Sequence, residues 1–148
     1  MRILIVEDEL LIGKGIQAKL RQTDLPISSI DFASSAEQAY ELLQQKEFDV
    51  VLTDIKMGPM SGIDLIEKVR KTNDHTEFII LSGFAEFSYA QQAMRLGVDQ
   101  YLLKPVTKEK LRDAVLQADL RRREKSEALK PAQVLLQMML PAQPGLAA

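Results

Sequence analysis

The chain has 148 residues, of which 46% are hydrophobic and 27% are charged, and its formal net charge is −2. This composition indicates one ordinary domain with a short extension, and the small net charge excludes a whole-chain attraction to nucleic acid or to an anionic membrane. The absence of cysteine excludes disulfides and thiolate zinc sites and agrees with a cytoplasmic location, and no stretch approaches the roughly 20 apolar residues of a membrane helix.

Five short runs rich in β-branched and aliphatic residues predict five β-strands. In chain order they are RILIV (residues 2–6), SSIDFA (28–33), FDVVLT (48–53), EFIIL (77–81) and DQYLL (99–103). Four of the five lack polar alternation, which is typical of parallel strands that are covered on both faces. Only the second run, around Ile30 and Phe32, has the pattern of an edge strand.

Apolar residues with helical spacing fill each interval between the predicted strands and follow the last one. They are Ile12, Ile16 and Leu20; Ala36, Ala39, Tyr40 and Leu43; Ile63, Ile66 and Val69; Phe87, Ala90 and Met94; and Leu111, Val115 and Ala118. Ser34 or Ser35 is expected to cap the second helix, and Thr107 the fifth. Gly97 stands where a left-handed helix stop is expected.

Strict alternation of strands and helices with short connections predicts a doubly wound α/β domain. We expect a five-stranded parallel sheet of the flavodoxin-like (βα)5 type with right-handed crossovers, covering residues 1–125. Residues 126–148, which include Pro131 and the apolar stretch QVLLQMML, are interpreted as a linker or tail because they are too short for a second domain. The basic run at 121–123 is interpreted as a solvated helix face rather than a DNA contact.

Acidic residues follow the first and third predicted strands. Glu7, Asp8 and Glu9 come after the first strand, and Asp54 comes after the third. These strand ends are neighbours in a flavodoxin-like sheet, so Glu7, Asp8 and Asp54 should converge. Carboxylates a few ångströms apart repel unless a cation lies among them, and Mg²⁺ suits a site with few carboxylates and several waters. For Glu9 we favour a simple role at the start of the helix.

The fourth and fifth predicted strands end in residues that can bind a phosphoryl group. The fourth closes with Ser82 and is followed by Gly83, and the fifth is followed by Lys104 and Pro105. A hydroxyl, an unobstructed N–H and an ammonium then face the acids, which is a donor set for the three phosphoryl oxygens beside a carboxylate nucleophile. The Lys-Pro peptide bond is either trans, the commoner isomer, or cis, which could aim Lys104 inward.

The motifs VEDE, LTDIKMGPMSG, LSGF and YLLKPV, in this order over roughly residues 1–125, resemble the response-regulator receiver domain of two-component signalling. The stretch from residue 81 to 106 is especially similar to receivers attached to AraC-type DNA-binding outputs. The resemblance implies a switch, not an enzyme, that accepts a phosphoryl group from a sensor histidine kinase and controls a transcriptional output. We expect DNA contact only through an output domain that is absent from this chain.

The resemblance implies a role for each acidic residue of the predicted site. Asp54 is the phosphoacceptor, Asp8 is a direct Mg²⁺ ligand, and Glu7 is a ligand through water. The backbone carbonyl of Lys56 is a third metal contact.

The resemblance also implies how the phosphoryl group is bound and sensed. Ser82, Gly83 and Lys104 bind it, and the lysine precedes a cis proline, Pro105. Ser82 and Tyr101 form the switch pair. Their rearrangement reshapes the face made by the fourth helix, fifth strand and fifth helix, through which we expect a homodimer.

The chain departs from the family pattern in one place, the turn after Asp54. The order Met57, Gly58, Pro59, Met60 places the proline one position late. We expect Pro59 to push Gly58 toward extended backbone and to alter the turn without abolishing it. In the family, the residue two positions after the hydroxyl residue, here Phe84, tunes how easily water reaches the aspartyl phosphate. Phe84 cannot orient a water by hydrogen bonding, so we expect a long-lived phosphoryl state.

Three other classes of protein are alternatives to a receiver. A flavodoxin-like FMN carrier would share the fold, but it needs a hydroxyl and N–H loop around a phosphate after the first strand, where Glu7, Asp8 and Glu9 would repel it. A haloacid-dehalogenase-like aspartyl-phosphate hydrolase also uses Asp, Ser or Thr and Lys around Mg²⁺. Its nucleophile belongs in an Asp-x-Asp pair on the first strand, whereas here Asp54 follows the third strand and Lys56 occupies the second position of the pair. A metal-free interaction module with the same fold would not respond to an acyl-phosphate analogue.

Overall fold

A computed structural model describes residues 1–83, 87–98 and 100–127, together with residue 139. Within these residues, strands and helices alternate as β1 (Arg2–Val6), α1 (Leu10–Arg21), β2 (Ser29–Ala33), α2 (Ala36–Gln45), β3 (Val50–Thr53), α3 (Gly62–Arg70), β4 (Glu77–Ser82), α4 (Phe87–Arg95), β5 (Gln100–Leu103) and α5 (Lys108–Glu127). The predicted alternation is confirmed. In the described part of the chain, no helix combines the length and the apolar character needed to cross a membrane.

The five strands form one parallel sheet in the order β2-β1-β3-β4-β5. In the register, Val6 at the end of β1 lies opposite Ala33 of β2 on one side and Thr53 of β3 on the other. The predicted edge position of β2 is therefore confirmed. β5 is the second edge, which the sequence pattern did not indicate because its apolar run looks like that of a covered strand.

Alternate residues of each strand face opposite sides of the sheet, and helices cover both sides. Ile3 and Ile5 belong to one buried layer, together with residues of α1 and α5, whereas Leu4 and Val6 belong to the other, together with residues of α2, α3 and α4. Each fully buried aliphatic side chain contributes about 1.5–3 kcal/mol to the free energy of unfolding. Burial on both faces explains the continuous apolar runs of the strands.

The predicted apolar face of α4 is wrong at Met94, which was expected to pack against the core. Met94 is 71% exposed, and Ala93 is the one buried residue among positions 88–95. The larger apolar side chain suggested Met94, but the helix presents the small Ala93 to the core. The helix does end at the expected glycine, since Gly97 has a φ of +81°.

Side-chain caps begin three of the helices. Ser35 accepts a hydrogen bond from the Gln38 N–H at 3.1 Å, and Thr107 accepts one from the Lys110 N–H at 3.2 Å, as expected. The cap of α3 was not predicted: Ser61 and Asp64 form a reciprocal capping box. This cap fixes the start of the helix that follows Asp54.

The C-terminal part of α5 contacts the edge of the sheet where the strands begin. Arg122 lies 2.9 Å from the buried carboxylate of Asp119 and 3.6 Å from Asp49, and Lys125 lies 2.7 Å from Glu77. The interpretation of the basic run as a solvated face is therefore wrong for Arg122, because this side chain is half-buried beside the buried carboxylate of Asp119. α5 continues past the expected domain boundary at residue 125 to Glu127, and the apolar stretch QVLLQMML lies almost wholly outside the described residues.

Candidate functional site

The carboxyl ends of β1 and β3 bring three carboxylates together. The Glu7 N–H donates to the Ala33 carbonyl at 3.0 Å and the Asp54 N–H donates to the Val6 carbonyl at 3.1 Å, so both residues extend the hydrogen-bond ladder of the sheet. One carboxylate oxygen from each of Glu7, Asp8 and Asp54 lies within 4.8 Å of the others. The predicted convergence of these acids is observed.

Lys104 reaches two of the three acids from the end of β5. Its Nζ lies 2.6 Å from Glu7 Oε2 and 3.0 Å from Asp54 Oδ2. The Lys104 N–H donates to the Ser82 carbonyl at 2.8 Å, which ties the residue to the end of β4. The peptide bond between Lys104 and Pro105 is cis, the isomer that the family resemblance implies.

Burial and charge perturb the two partners of this ion pair. Burial raises the pKa of the Glu7 carboxyl, and the hydrogen bond from Lys104 offsets part of that rise. Burial alone would lower the pKa of Lys104, but its bonds to Glu7 and Asp54 raise it above the ordinary value. Lys104 therefore stays cationic at neutral pH and neutralises part of the negative charge of the site.

The three carboxylates fit a small divalent cation. All offer oxygen atoms, which are the ligands that Mg²⁺ prefers, and they differ in exposure: Glu7 is buried, Asp54 is half-buried and Asp8 is exposed. The exposed side leaves room for the waters that Mg²⁺ retains. Lys56 follows Asp54 in the same loop, and its backbone carbonyl stays a predicted ligand.

The backbone around Asp54 is fixed by short hydrogen bonds. The Ile55 N–H donates to Asp54 Oδ1 at 2.7 Å, and the Thr53 hydroxyl donates to the Asp54 carbonyl at 2.8 Å. The Gly62 N–H donates to the Ile55 carbonyl at 2.8 Å. One oxygen of the Asp54 carboxylate is thus oriented by the backbone, and the other faces Lys104.

Gly62 is a residue of this site that the sequence reasoning did not single out. A Cβ atom at this position would lie 2.0 Å from the Asp54 carbonyl oxygen and 3.0 Å from Thr53 Oγ1. Only glycine permits the start of α3 to approach β3 so closely. A glycine directly after a helix-capping serine, where helix geometry does not require one, was the available signal.

The turn after Asp54 differs from the expected one. Gly58 has a φ of +113°, outside the extended region, so the expectation that Pro59 pushes it toward extended backbone is wrong. The restriction before a proline acts largely through the Cβ of the preceding residue, and glycine has none. Met57 is buried and Met60 packs against the same apolar cluster, so both ends of the altered turn are held by the core.

The expected switch residues lie on one face of the sheet. Ser82 is fully buried at the end of β4. Tyr101 is half-buried and pairs in register with Ile80, which shares the face of Ser82 two residues away. Gly83 is exposed, and Phe84 lies outside the described residues.

Comparisons with known proteins agree on one family. The family model of the response regulator receiver domain matches residues 3–116. The uncharacterized transcriptional regulatory protein YesN of Bacillus subtilis is 40% identical over 110 residues, which is 74% of this chain and 30% of that protein. The chain spans about a third to a half of the length of the curated relatives it matches.

Solved structures of receiver domains have the same fold. A two-component AraC transcriptional regulator from Clostridium phytofermentans is 29% identical, with a TM-score of 0.75 over 83% of this chain and 98% of that chain. The response regulator TrrA from Thermotoga maritima, in complex with Mg²⁺ and BeF, is 25% identical, with a TM-score of 0.70 over 79% of this chain and 97% of that chain.

Proposed function

The chain belongs to the response-regulator receiver domain family, and on this premise we propose that it is a phosphoacceptor switch whose Asp54 takes a phosphoryl group from a sensor histidine kinase. The observation that carries the proposal is the placement of Lys104 between Glu7 and Asp54, beside a third carboxylate, Asp8. Receiver domains are signal transducers rather than enzymes that act on metabolites. The kinase, the transcriptional output and the cytoplasmic location are part of the proposal.

Each residue of the site has a place in phosphoryl transfer. Asp54 attacks the phosphorus of a phosphohistidine in line with its leaving nitrogen, so that the P–N bond breaks as the new P–O bond forms. Lys104, the Ser82 hydroxyl and the Gly83 N–H stabilise charge on the three phosphoryl oxygens. The receiver thereby assists its own phosphorylation, and later its own dephosphorylation.

The donor set of the site fits Mg²⁺. Asp8 and Asp54 would bind the ion directly, Glu7 would bind through water, and Lys56 would contribute its backbone carbonyl. The ion would supply charge neutralisation for the phosphoryl oxygens in this crowded acidic site. Lys104 supplies the protein's own positive charge there, with its amine already 3.0 Å from the acceptor carboxylate.

Phosphorylation would change the surface of the domain through Ser82 and Tyr101. The phosphoryl group adds roughly two negative charges, draws the Ser82 hydroxyl toward it and lets the Tyr101 ring turn inward. We propose that the face of α4, β5 and α5 then changes shape and mediates a homodimer. Residues 1–125 would form the receiver, residues 126–148 the connection toward an output domain, and the phosphoryl state would be long-lived.

The hydrolase alternative receives no support from these observations. The receiver family model matches residues 3–116, and Lys56 stands where a dehalogenase-type site has its second aspartate. A lysine cannot act there as the carboxylic acid that protonates a leaving group.

Intact-mass measurement after incubation with acetyl phosphate and Mg²⁺ tests the proposal. The parent should gain one phosphoryl mass, and Asp54→Asn should gain none, because an amide cannot attack phosphorus. Asp31→Asn, which changes a surface aspartate of β2, is the matched control and should gain the same mass as the parent. An Asp54→Asn protein that takes up phosphoryl as the parent does would reject Asp54 as the acceptor.

A further inference from the structure

The side chain of Lys56 connects the acceptor loop to α4. Lys56 is two residues beyond Asp54, and its Nζ lies 5.6 Å from the centre of the Tyr89 ring in the first turn of α4. This distance is within the range in which an ammonium is attracted to an aromatic face. The contact joins the loop after Asp54 to α4, the helix that connects β4 to β5.

α4 has few buried residues in the part whose burial the structure describes. Among positions 88–95, the part of α4 whose burial the structure describes, Ala93 alone is buried. Tyr89 is half-buried and packs against the apolar cluster that also contacts Met60 and Tyr101. With one buried residue over this length, small changes at the edge of the helix can shift its position.

We propose that Lys56 and Tyr89 are positioning residues that couple the charge on Asp54 to the placement of α4. The proposal rests on Asp54 being the phosphoacceptor. Before phosphorylation, the ammonium of Lys56 holds the first turn of α4 against the acceptor loop. After phosphorylation, the roughly two added negative charges compete with the Tyr89 ring for the same ammonium, and α4 is released.

The strength of the contact suits a switch. A cation and an aromatic ring at an exposed site bias an equilibrium by only about two- to fivefold, which a phosphate placed two residues away can overcome. A much stronger contact would hold α4 in both states, and a much weaker one would hold it in neither. The contact also requires no movement of Ser82 or Tyr101, so it is a second connection from the site to the same surface.

Hydrogen–deuterium exchange of the α4 amides in the full chain tests this coupling. In the unphosphorylated state, Lys56→Gln and Tyr89→Leu should each speed exchange about two- to fivefold relative to the parent. Phosphorylation with acetyl phosphate should speed exchange in the parent and have much less effect in these variants. The double variant should match the single ones, because either change removes the whole contact.

Two conservative variants separate the cation–ring attraction from ordinary packing. Lys56→Arg keeps a cation and Tyr89→Phe keeps an aromatic face, so both should behave as the parent does, before and after phosphorylation. If they speed exchange as much as Lys56→Gln, the contact is packing only and the coupling is rejected. An unchanged α4 in Lys56→Gln, or an undiminished response to phosphorylation, rejects it as well.

Intact mass of the same samples distinguishes this proposal from the one on which it rests. All variants are compared at equal phosphoryl occupancy. If the parent is phosphorylated and Lys56→Gln keeps the full response of α4, the coupling is rejected and the phosphoacceptor proposal stands. If the parent gains no phosphoryl mass, both proposals are rejected.

Discussion

The ammonium of Lys104 lies nearer to Glu7, at 2.6 Å, than to Asp54, at 3.0 Å. The lysine that contacts Asp54 is therefore also the cation on which a buried carboxylate depends, since Glu7 is 7% exposed. Lys104 is therefore expected to contribute both to the stability of the fold and to the proposed phosphoryl chemistry.

Lys104→Met should lower the free energy of unfolding by about 1–3 kcal/mol at neutral pH, because Glu7 loses its cation. The pKa of Glu7 is already raised by burial, and Lys104 holds it down, so the variant should raise it further. A carboxyl with a raised pKa binds its proton more tightly in the folded state, so its ionisation destabilises the fold as pH rises above 4.5, the ordinary pKa of a glutamate.

The difference in free energy of unfolding between the parent and Lys104→Met should consequently grow between about pH 5 and pH 7 and shrink on acidification, as measured by urea unfolding. Glu7→Gln combined with Lys104→Met should remove most of this pH dependence. A deficit of equal size at both pH values would contradict the assignment to Glu7.

Asp8→Asn should stabilise the metal-free protein by about 0.5–1 kcal/mol, because it removes one of three carboxylates that lie within 4.8 Å of one another. The same change should abolish the rise in melting temperature that we expect Mg²⁺ to give the parent. Glu9→Gln is the matched control: Glu9 stands at the N-cap of α1 and makes no side-chain cap bond, so Mg²⁺ should stabilise this variant as it does the parent.

Gly62→Ala should lower the free energy of unfolding by about 2–4 kcal/mol, since the new methyl group would meet the Asp54 backbone oxygen. Gly15→Ala is the control, because its Cβ would meet no atom within 4 Å and alanine is the better helix former. That variant should gain about 0.5–1 kcal/mol in urea unfolding. Similar results for the two variants would show that α3 can move away from β3 at little cost.

Gly58→Ala should lower the free energy of unfolding by about 1–2 kcal/mol, because a φ of +113° is strained for any residue with a Cβ. Chemical denaturation measures this loss. Gly83→Ala, at an exposed position with open space around its Cβ, should change stability by less than about 0.5 kcal/mol. A neutral Gly58→Ala would mean that the turn adopts another conformation in solution.

Lys125→Met should lower the free energy of unfolding by about 1–3 kcal/mol, since it removes the cation 2.7 Å from Glu77, a carboxylate that is 2% exposed. Lys14→Met changes an exposed lysine of α1 and should have an effect below about 0.5 kcal/mol. Adding Glu77→Gln to Lys125→Met should restore much of the loss. If Lys14→Met and Lys125→Met have equal effects, the ion pair does not stabilise the protein.

The sequence was sufficient to predict the fold and the acidic group of the site. The runs of apolar residues marked each strand to within two residues, and in a parallel sheet the residues after neighbouring strands must meet at one edge. Asp54, Glu7 and Asp8 could therefore be placed together without coordinates. Lys104 followed from the same rule, because β5 ends at that edge as well.

Other features depended on distances that no local pattern contains. A Cβ at Gly62 would lie 2.0 Å from the Asp54 carbonyl oxygen because α3 approaches β3 so closely. The ion pair between Glu77 and Lys125 joins residues 48 positions apart. Burial of Ala93 in place of Met94 was a matter of helix rotation by one residue, which apolar spacing alone resolves poorly.

The attachment of Lys125 to Glu77 places the described end of α5 at the opposite rim of the sheet from Asp54. β4 runs from Glu77 to Ser82, and five steps along a parallel strand span about 17 Å. A phosphodonor that approaches Asp54 would therefore contact the opposite rim of the sheet from the described end of α5. Such a donor would not have to displace the ion pair between Lys125 and Glu77.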